Sequence, residues 1–241
     1  MRNEVYVISS NENLARDIWR MQLVGDTTWI GQPGQFVNLA IDGCYLRRPI
    51  SVCDSDMQSF TIIYKVVGEG THKMSQMTRG TRVDALVGLG NGFDTEACPV
   101  ECTVVGGGVG VPPMYALSKK LMREGHKVHA ILGFNNVRDV FYEQQFRDLG
   151  CDVTVTTVDG TYGMKGFVTD AMQEGVYALA CSPKPMLQAV LNKAGDGQFS
   201  FEERMGCGFG ACMGCTCQTN DGPKRVCKDG PVFKKEAIVA W

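Results

Sequence analysis

The chain has 241 residues, of which 44% are hydrophobic, so it can bury more than one core. Its formal net charge is −2 and it has no Lys/Arg-rich block, which argues against nucleic acid or an anionic membrane as the main partner. No apolar run approaches the ~20 residues of a membrane span, and residues 1–17 lack the apolar part of a signal peptide. Eleven cysteines without an export signal indicate a cytoplasmic protein with free or metal-bound thiols.

Residues 1–98 form the first block, in which short strand-like runs are separated by Gly, Asp and Asn. The clearest runs cover residues 4–8, 35–41, 60–67 and 82–87. This pattern is typical of a small barrel, so we predict an N-terminal antiparallel β-barrel domain.

Two motifs in this block suit a phosphate-containing ligand. In the segment Leu-Arg-Arg-Pro-Ile-Ser at 46–51, the proline fixes a turn, Arg48 can pair with a phosphate, and Ser51 can offer a hydroxyl or N–H to a ring atom. Gly70 and Thr71 begin a short predicted helix, where backbone N–H groups can face a pyrophosphate. Each motif alone is weak, because a surface arginine is usually only solvated. Their combination ahead of a nucleotide-binding pattern is more specific.

Residues 99–198 form the second block, which alternates strands and helices. The predicted strands are 102–105, 127–132, 152–158 and 177–181, and the predicted helices are 112–124, 139–149, 167–173 and 185–194. This alternation predicts an α/β domain with a parallel sheet and helices on both faces.

A glycine-rich turn follows the first strand of this block. It allows a tight turn and the close approach of a pyrophosphate, and it contains Gly106, Gly107, Gly108 and Gly110. Pro112 then suits the first turn of a helix. The spacing departs from G-x-G-x-x-G, so a turn that serves packing alone is the alternative.

The choice between NAD(H) and NADP(H) depends on the end of the second strand, at residues 133–136. No carboxylate lies there to bind ribose hydroxyls, although Asp139 and Glu143 follow soon after. Arg138 can pair with a 2′-phosphate, but an exposed arginine at the start of a helix is usually solvated. We therefore expect NAD(H).

Residues 199–241 form a cysteine-rich tail with the spacing C-x4-C-x2-C-x11-C. The first three of these cysteines have the spacing of plant-type [2Fe–2S] centres, and the four predicted ligands are Cys207, Cys212, Cys215 and Cys227. Interspersed glycines allow backbone N–H groups to approach the sulfurs. A structural zinc site is the alternative. Cys217 lies two residues past the third ligand, and strand alternation turns it elsewhere, so we interpret it as a non-ligand.

The motifs of the first two blocks together resemble the ferredoxin–NADP reductase superfamily. The resemblance implies that FAD is bound by Arg48, Pro49, Ile50, Ser51, Ile63, Tyr64, Lys65, Gly70 and Thr71. It also places Cys181, in the segment Cys-Ser-Pro-Lys-Pro-Met, near a nicotinamide, although Ser182 replaces the usual glycine. Strand packing is the alternative role for Ile63 and Tyr64, and an inert strand-end thiol is the alternative for Cys181.

Across nearly the whole chain, the order of motifs is similar to one family, the electron-transfer subunits of B-type dihydroorotate dehydrogenase. It runs R-R-P-I-S, G-x-G-T, G-G-G-V-G-V-P-P, D-V-F-Y, the cysteine cluster and V-C-x-x-G-P-V-F. The resemblance implies a subunit that passes electrons between NAD(H) and an FMN-containing catalytic subunit through FAD and the cluster. That partner oxidises dihydroorotate to orotate in pyrimidine biosynthesis, and the complex would contain two copies of each subunit.

Two other functions stay open at this point. One is the small subunit of another NAD(P)H-dependent flavin complex that reduces ferredoxin or sulfur compounds. The other is a non-enzymatic, zinc-binding nucleotide sensor. No acid/base pair is evident, and the three histidines are interpreted as structural or surface groups. Met205, Phe209 and Met213 are candidates for contact with a partner, with core packing as the alternative.

Overall fold

A computed structural model describes residues 1–239 of the chain. The first block is a closed barrel with the strand order β1-β2-β5-β4-β3-β6 and antiparallel neighbours throughout. Its strands are β1 (Arg2–Ala15), β2 (Ile18–Val24), β3 (Phe36–Leu39), β4 (Arg48–Ser55), β5 (Ser59–Lys65) and β6 (Arg82–Leu89), and helix α1 (Glu69–Ser75) precedes β6. The predicted antiparallel barrel is confirmed.

The segment around Pro49 is a strand and not the turn that the sequence suggested. Pro49 is the second residue of β4 and is paired with Asn38 of β3. On its other side β4 meets β5 only from Val52 onward. Pro49 therefore lies beyond that ladder, where the missing N–H costs little.

A seven-stranded sheet in the order β10-β9-β8-β7-β11-β12-β15 forms the second part of the molecule. Its first strands are β7 (Glu101–Gly107), β8 (Lys127–Phe134), β9 (Asp152–Thr157), β10 (Met164–Lys165), β11 (Tyr177–Cys181) and β12 (Asp196–Ser200). The helices are α2 (Val111–Arg123), α3 (Glu143–Asp148), α4 (Val168–Ala171) and α5 (Lys184–Lys193). All strands from β10 to β12 run parallel, as predicted.

The two faces of this sheet carry different cores because successive strand residues point to opposite sides. Val104 of β7 packs in one core with Leu117 of α2 and Phe146 of α3. The next residue, Val105, packs in a second core with Val168 of α4 and Leu187 of α5. Helices therefore cover both faces.

The tail adds four further elements, β13 (Thr216–Thr219), β14 (Gly222–Arg225), α6 (Val226–Asp229) and β15 (Val232–Lys234). β15 runs antiparallel to β12 at the edge of the sheet. Asn91, just after the barrel, fixes this strand: its Nδ2 donates to the Val232 carbonyl at 2.7 Å, and its Oδ1 accepts from Val232 N–H at 2.9 Å. The predicted border between residues 198 and 199 lies inside β12. None of the helices within residues 1–239 has the length and apolar character required to span a bilayer.

Candidate cofactor and cluster sites

A cleft of about 420 Å³ lies between the barrel and the parallel sheet, and we call it the barrel cleft. Its lining brings together residues predicted from separate motifs: Arg48, Pro49, Ile50, Ser51, Ile63, Tyr64, Lys65, Thr71 and Cys181. Ser200, Glu202 and Met205 also line it, and the sequence did not point to the first two. The surrounding protein raises the pKa of the Glu202 carboxyl by desolvation, although its side chain keeps contact with solvent.

Gly70 leaves room for Arg48 at the start of α1. A Cβ atom on Gly70 would lie 2.1 Å from Arg48 Nε, so any larger residue would displace the guanidinium. The Arg48 guanidinium also donates to the carbonyl of Leu46. In the same turn, Thr71 Oγ1 accepts from the N–H groups of Val67 and Gly68 at 3.0 and 3.2 Å. A positive group held beside a helix start fits a bound phosphate.

Ile63 and Tyr64 are deeply buried in the lining, at 3% and 2% exposure. The Tyr64 hydroxyl donates to Asn11 Oδ1 at 3.0 Å. Burial raises the pKa of Tyr64 to about 12, against the opposing effect of that hydrogen bond. Both residues therefore contribute to barrel packing as well as to the cleft wall.

The glycine turn brings the ends of two strands close together. A Cβ atom on Gly110 would lie 2.0 Å from the carbonyl oxygen of Cys181, and one on Gly106 would lie 2.9 Å from Val111 Cα. These two glycines therefore serve the packing of the turn against β11 and α2. Gly107 and Gly108 differ, since both line a second cleft.

This second cleft, which we call the sheet cleft, has a volume of about 570 Å³. It follows the carboxyl ends of β7, β8 and β9, where open parallel sheets bind their ligands. Its lining includes Gly133, Phe167 and Met186. Lys65 and Val109 line both clefts, so the two spaces meet at these residues.

The two carboxylates near the end of β8 are already paired. Asp139 lines the sheet cleft and forms an ion pair with Arg16 at 2.9 Å. Glu143 pairs with Arg147 at 2.7 Å and accepts from the Tyr162 hydroxyl at 2.7 Å. Arg138 is exposed and is not part of the cleft lining.

The thiol of Cys181 lies at the junction of barrel and sheet. It is 2% exposed, and the facing residue of β12 is Ser200. Burial raises the pKa of the Cys181 thiol to about 12, and the nearby Glu202 acts in the same direction. The side chain is therefore a neutral thiol at physiological pH.

The four predicted cluster ligands fall into two pairs. The Cys207 N–H donates to Cys212 Sγ at 3.5 Å, and Cys215 is close enough to Cys227 to shift the pKa of its thiol. Backbone N–H groups also donate to sulfur. Those of Ala211 and Cys212 lie 3.2 and 3.4 Å from Cys207 Sγ, and that of Cys227 lies 3.4 Å from Cys215 Sγ. Such donors stabilise thiolates around iron–sulfur clusters.

The neighbouring groups also shift the pKa values of these thiols. Desolvation raises the pKa of Cys207, but N–H donors from Cys212, Phe209 and Ala211 outweigh it and lower the value to about 6. Burial and the neighbouring Cys215 and Cys207 raise the pKa of Cys227 to about 12. These are the properties of thiols that crowd one site, where a bound cation would favour ionisation of all four.

The pairing fits a dinuclear cluster better than a single zinc ion. Zinc needs four ligands around one centre, whereas each iron of a [2Fe–2S] cluster takes two protein ligands. Cys217 is half-buried in β13 and packs against the second core of the sheet.

Residues 205–215, the cluster loop, contain no helix or strand before the final turn into β13. Asn38 of the barrel holds the loop, since its Nδ2 donates to the Cys207 carbonyl at 3.1 Å. Phe209 and Met213 are 42% and 59% exposed, whereas Met205 packs against the second sheet core. Core packing thus accounts for Met205, and the other two residues face solvent.

The comparisons with known proteins agree with this arrangement. Residues 202–239, which include all four predicted ligands, match the iron-sulfur cluster binding domain of dihydroorotate dehydrogenase B. A Bacillus pumilus protein is 44% identical over 99% of this chain and 98% of its own length, and it is named the electron transfer subunit of NAD(+)-type dihydroorotate dehydrogenase B. The chain belongs to this family of electron transfer subunits.

Two further relatives extend the comparison. A dihydroorotate dehydrogenase B electron transfer subunit of Fusobacterium nucleatum is 42% identical over 97% of both chains. A solved NADH-dependent reduced ferredoxin-NADP oxidoreductase superposes with a TM-score of 0.87 and 28% identity, over 98% of this chain and 90% of that one. This chain thus shares its overall fold with a solved reductase that its description names as NADH-dependent.

Proposed function

We propose that this chain transfers electrons between NAD(H) and an FMN-containing dihydroorotate dehydrogenase subunit, using bound FAD and a [2Fe–2S] cluster. Membership of the dihydroorotate dehydrogenase B family and the match at 202–239 support this function. The observation that carries it is the junction of the two clefts at Lys65 and Val109. Ligands bound in the two clefts would therefore lie next to one another at these residues.

We assign each cofactor to one region of the chain. FAD would occupy the barrel cleft of a domain at 1–98, NAD(H) the sheet cleft of a domain at 99–198, and the cluster a domain at 199–241. The flavin ligands are Arg48, Pro49, Ile50, Ser51, Ile63, Tyr64, Lys65, Gly70 and Thr71; Gly106, Gly107, Gly108, Gly110 and Cys181 form the nucleotide site; and Cys207, Cys212, Cys215 and Cys227 hold the cluster.

The flavin, when bound, supplies the exchange between two-electron hydride chemistry and the one-electron chemistry of the cluster. The protein contributes binding and orientation. Arg48 would pair with a phosphate, and Gly107 and Gly108 leave their backbone open to a pyrophosphate. Cys181, as a neutral thiol, adds no charge where the two ligands meet.

A separate subunit would carry out the chemistry on dihydroorotate. The three histidines, His72, His126 and His129, all lie outside both cleft linings. His126 contacts the Pro99 carbonyl at 2.8 Å, and His129 contacts Thr154 Oγ1 at 3.1 Å. The printed name of the relatives, electron transfer subunit, supports a catalytic partner, for which we expect two copies of each chain.

Reconstitution tests this function. The isolated chain should oxidise NADH with artificial acceptors, faster than NADPH, and should not turn over dihydroorotate. With the FMN-containing subunit added, dihydroorotate should reduce NAD+. Turnover of dihydroorotate by the chain alone, or reduction of NAD+ by a complex without an intact cluster, would contradict the proposal.

A second candidate is the small subunit of a ferredoxin-reducing complex, because the chain superposes closely on an NADH-dependent reduced ferredoxin-NADP oxidoreductase. The same purified chain separates the two functions. Electron transfer to ferredoxin, together with no NAD+ reduction in the presence of the FMN subunit and dihydroorotate, would favour this candidate.

A further inference from the structure

Asn38 joins the barrel to the cluster loop through one buried side chain. It is 1% exposed, and its Nδ2 donates to the carbonyl of the predicted ligand Cys207 at 3.1 Å. The next residue of the loop, Gly208, has a φ of +79°, and a Cβ atom on it would lie 2.4 Å from Asn38 Nδ2. The loop therefore comes this close to the amide only because residue 208 is glycine.

The same side chain lies beside the wall of the barrel cleft. Side chains alternate along β3, and Val37 and Leu39 pack in the barrel core. Phe36 and Asn38 therefore share the outer face of this strand, and Phe36 lines the barrel cleft. Asn38 is also in register with Pro49 of β4, which lines the cleft too. Because facing residues of antiparallel strands have Cβ atoms about 4.5–5.5 Å apart, Asn38 is an immediate neighbour of the cleft wall.

Stability alone does not explain an amide at this position. The Oδ1 atom of Asn38 is buried and has no hydrogen-bond partner within residues 1–239. A buried polar atom without a partner costs free energy, and an apolar side chain of similar size would avoid that cost. What the amide adds is the bond to the Cys207 carbonyl. Asn38 thus ties the cluster loop to the barrel, while Arg225 ties it to the tail by donating to the Gly210 carbonyl at 2.8 Å.

We propose that Asn38 is a positioning residue that holds the cluster loop at a fixed distance from the flavin cleft, so that an electron can pass between the two cofactors. This inference rests on the proposed function, in which FAD occupies the barrel cleft and the four cysteines hold the cluster. In this step one electron leaves the reduced flavin and enters the oxidised cluster, and no bond forms or breaks in Asn38. Met205, two residues before Cys207, itself lines the barrel cleft, so the segment that Asn38 holds begins at the cleft.

The test replaces Asn38 with leucine, which is similar in size but has no donor. In stopped-flow measurements on the full-length, cofactor-loaded protein, NADH should reduce the flavin of Asn38→Leu at the wild-type rate. The cluster should then be reduced about tenfold more slowly, since small displacements from a productive geometry have effects of this size or more. Iron release to a chelator should be about fivefold faster, the effect of one lost hydrogen bond on local opening of the loop.

A second variant and a control isolate this contact. Gly208→Ala approaches it from the loop, because the added Cβ atom would displace the Asn38 amide, and it should slow cluster reduction as Asn38→Leu does. The double variant should be no slower than the slower single variant, since both act through one contact. Asn220→Ala is the matched control: its Nδ2 donates to the Glu236 carbonyl at 2.7 Å, away from the cluster loop, so both rates should stay as in the wild type.

The inference is overturned if Asn38→Leu and Gly208→Ala both reduce the cluster at the wild-type rate, or if Asn220→Ala slows it equally. Loss of bound FAD or iron from both variants would assign Asn38 to cofactor binding and would overturn it as well. If Asn38→Leu does not fold, the rate in Gly208→Ala decides. Wild-type protein that carries no FAD or no iron would refute the proposed function, and the inference with it, whereas normal electron transfer in every variant refutes the inference alone.

Discussion

The barrel cleft and the cluster loop are two cofactor sites that the fold supports in different ways. The barrel cleft is lined largely by strands, and residues such as Ile63 and Cys181 are at most 3% exposed. The cluster loop has no helix or strand before its final turn, and Cys212 in it is exposed. Its internal contacts are mainly N–H groups that donate to sulfur, such as Ala211 to Cys207.

This difference teaches that the two sites depend on their cofactors to different degrees. Core packing builds the barrel cleft, so its shape is available to an incoming flavin. The cluster loop has little apolar burial of its own, and a site of this kind gains its order mainly from what the thiolates bind. Four variants or treatments test the contrast, in order of decreasing expected effect.

The largest effect is expected for the cluster ligands. Replacing Cys207, Cys212, Cys215 or Cys227 with serine should abolish the EPR signal of the reduced protein, because one of the two irons loses one of its two protein ligands. Cys217→Ser, the control, should keep the signal. The FAD content should stay normal in all five variants, and a parallel loss of FAD would show that the two sites are not independent.

The next effect concerns Gly110, which packs closely against the end of β11. Gly110→Ala places a Cβ atom 2.0 Å from the Cys181 carbonyl, so the strand end or the turn must move. We expect a loss of about 3 kcal/mol in the free energy of unfolding, measured in urea, at the upper end of the usual cost of overpacking. Gly31→Ala is the control, since nothing lies within 4 Å of the added atom. Equal stability of the two variants would contradict the described contact.

A smaller effect, on FAD binding, is expected from changes at Arg48 and at its neighbour Gly70. Arg48→Ala should weaken FAD binding by about 10- to 150-fold, because a hydrogen bond to a charged group contributes about 1.5–3 kcal/mol. Gly70→Ala should cause a similar loss by displacing the guanidinium. Gly68→Ala, with nothing within 4 Å, should bind FAD normally. In the double variant Arg48→Ala/Gly70→Ala the losses should not add, because both act through one contact; additive losses would assign Gly70 a separate role.

The smallest effect is a difference in thiol reactivity that leaves the fold intact. Burial raises the pKa of Cys181 to about 12, so this thiol stays protonated at pH 8. An unfolded cysteine ionises near pH 8.5, so the free energy of unfolding should fall from this group only as the pH rises from about 8.5 toward 12. Iodoacetamide at pH 8 should therefore spare Cys181 in the folded protein and label exposed Cys212 in cluster-free protein. Mass spectrometry measures both, and labelling of Cys181 before unfolding would contradict its burial.

The sequence predicted those parts of the fold that depend on local pattern. The barrel, the alternating sheet, and the helix after the glycine turn all follow from periodicity and turn residues. It did not predict that β4 includes Pro49, because proline is typical of turns. Only the pairing with Asn38 of β3 shows that this residue lies in a strand. Nor did it predict β15, whose three residues become a strand only by pairing with β12.

The same limit applies to the sites. The sequence named the residues of the barrel cleft through short motifs, and the structure brings them together. It gave no signal for the Asn91 contacts to Val232, for Glu202 in the barrel cleft, or for the Asn38 contact to Cys207, since each depends on residues distant in the chain. Nor does the glycine motif reveal that Gly110, which we assign to the nucleotide site, also packs closely against Cys181.

The pairing of β15 with β12 also has a consequence for biosynthesis. The cluster loop lies between these two strands in the chain, so β15 leaves the ribosome after both β12 and the loop. Domains generally fold from the N-terminus during translation, so the barrel and most of the sheet can form first. The edge of the sheet closes only once β15 has been made, and the set of four cysteines is complete only from residue 227 onward. We therefore expect nascent chains that stall before residue 227 to carry flavin without iron.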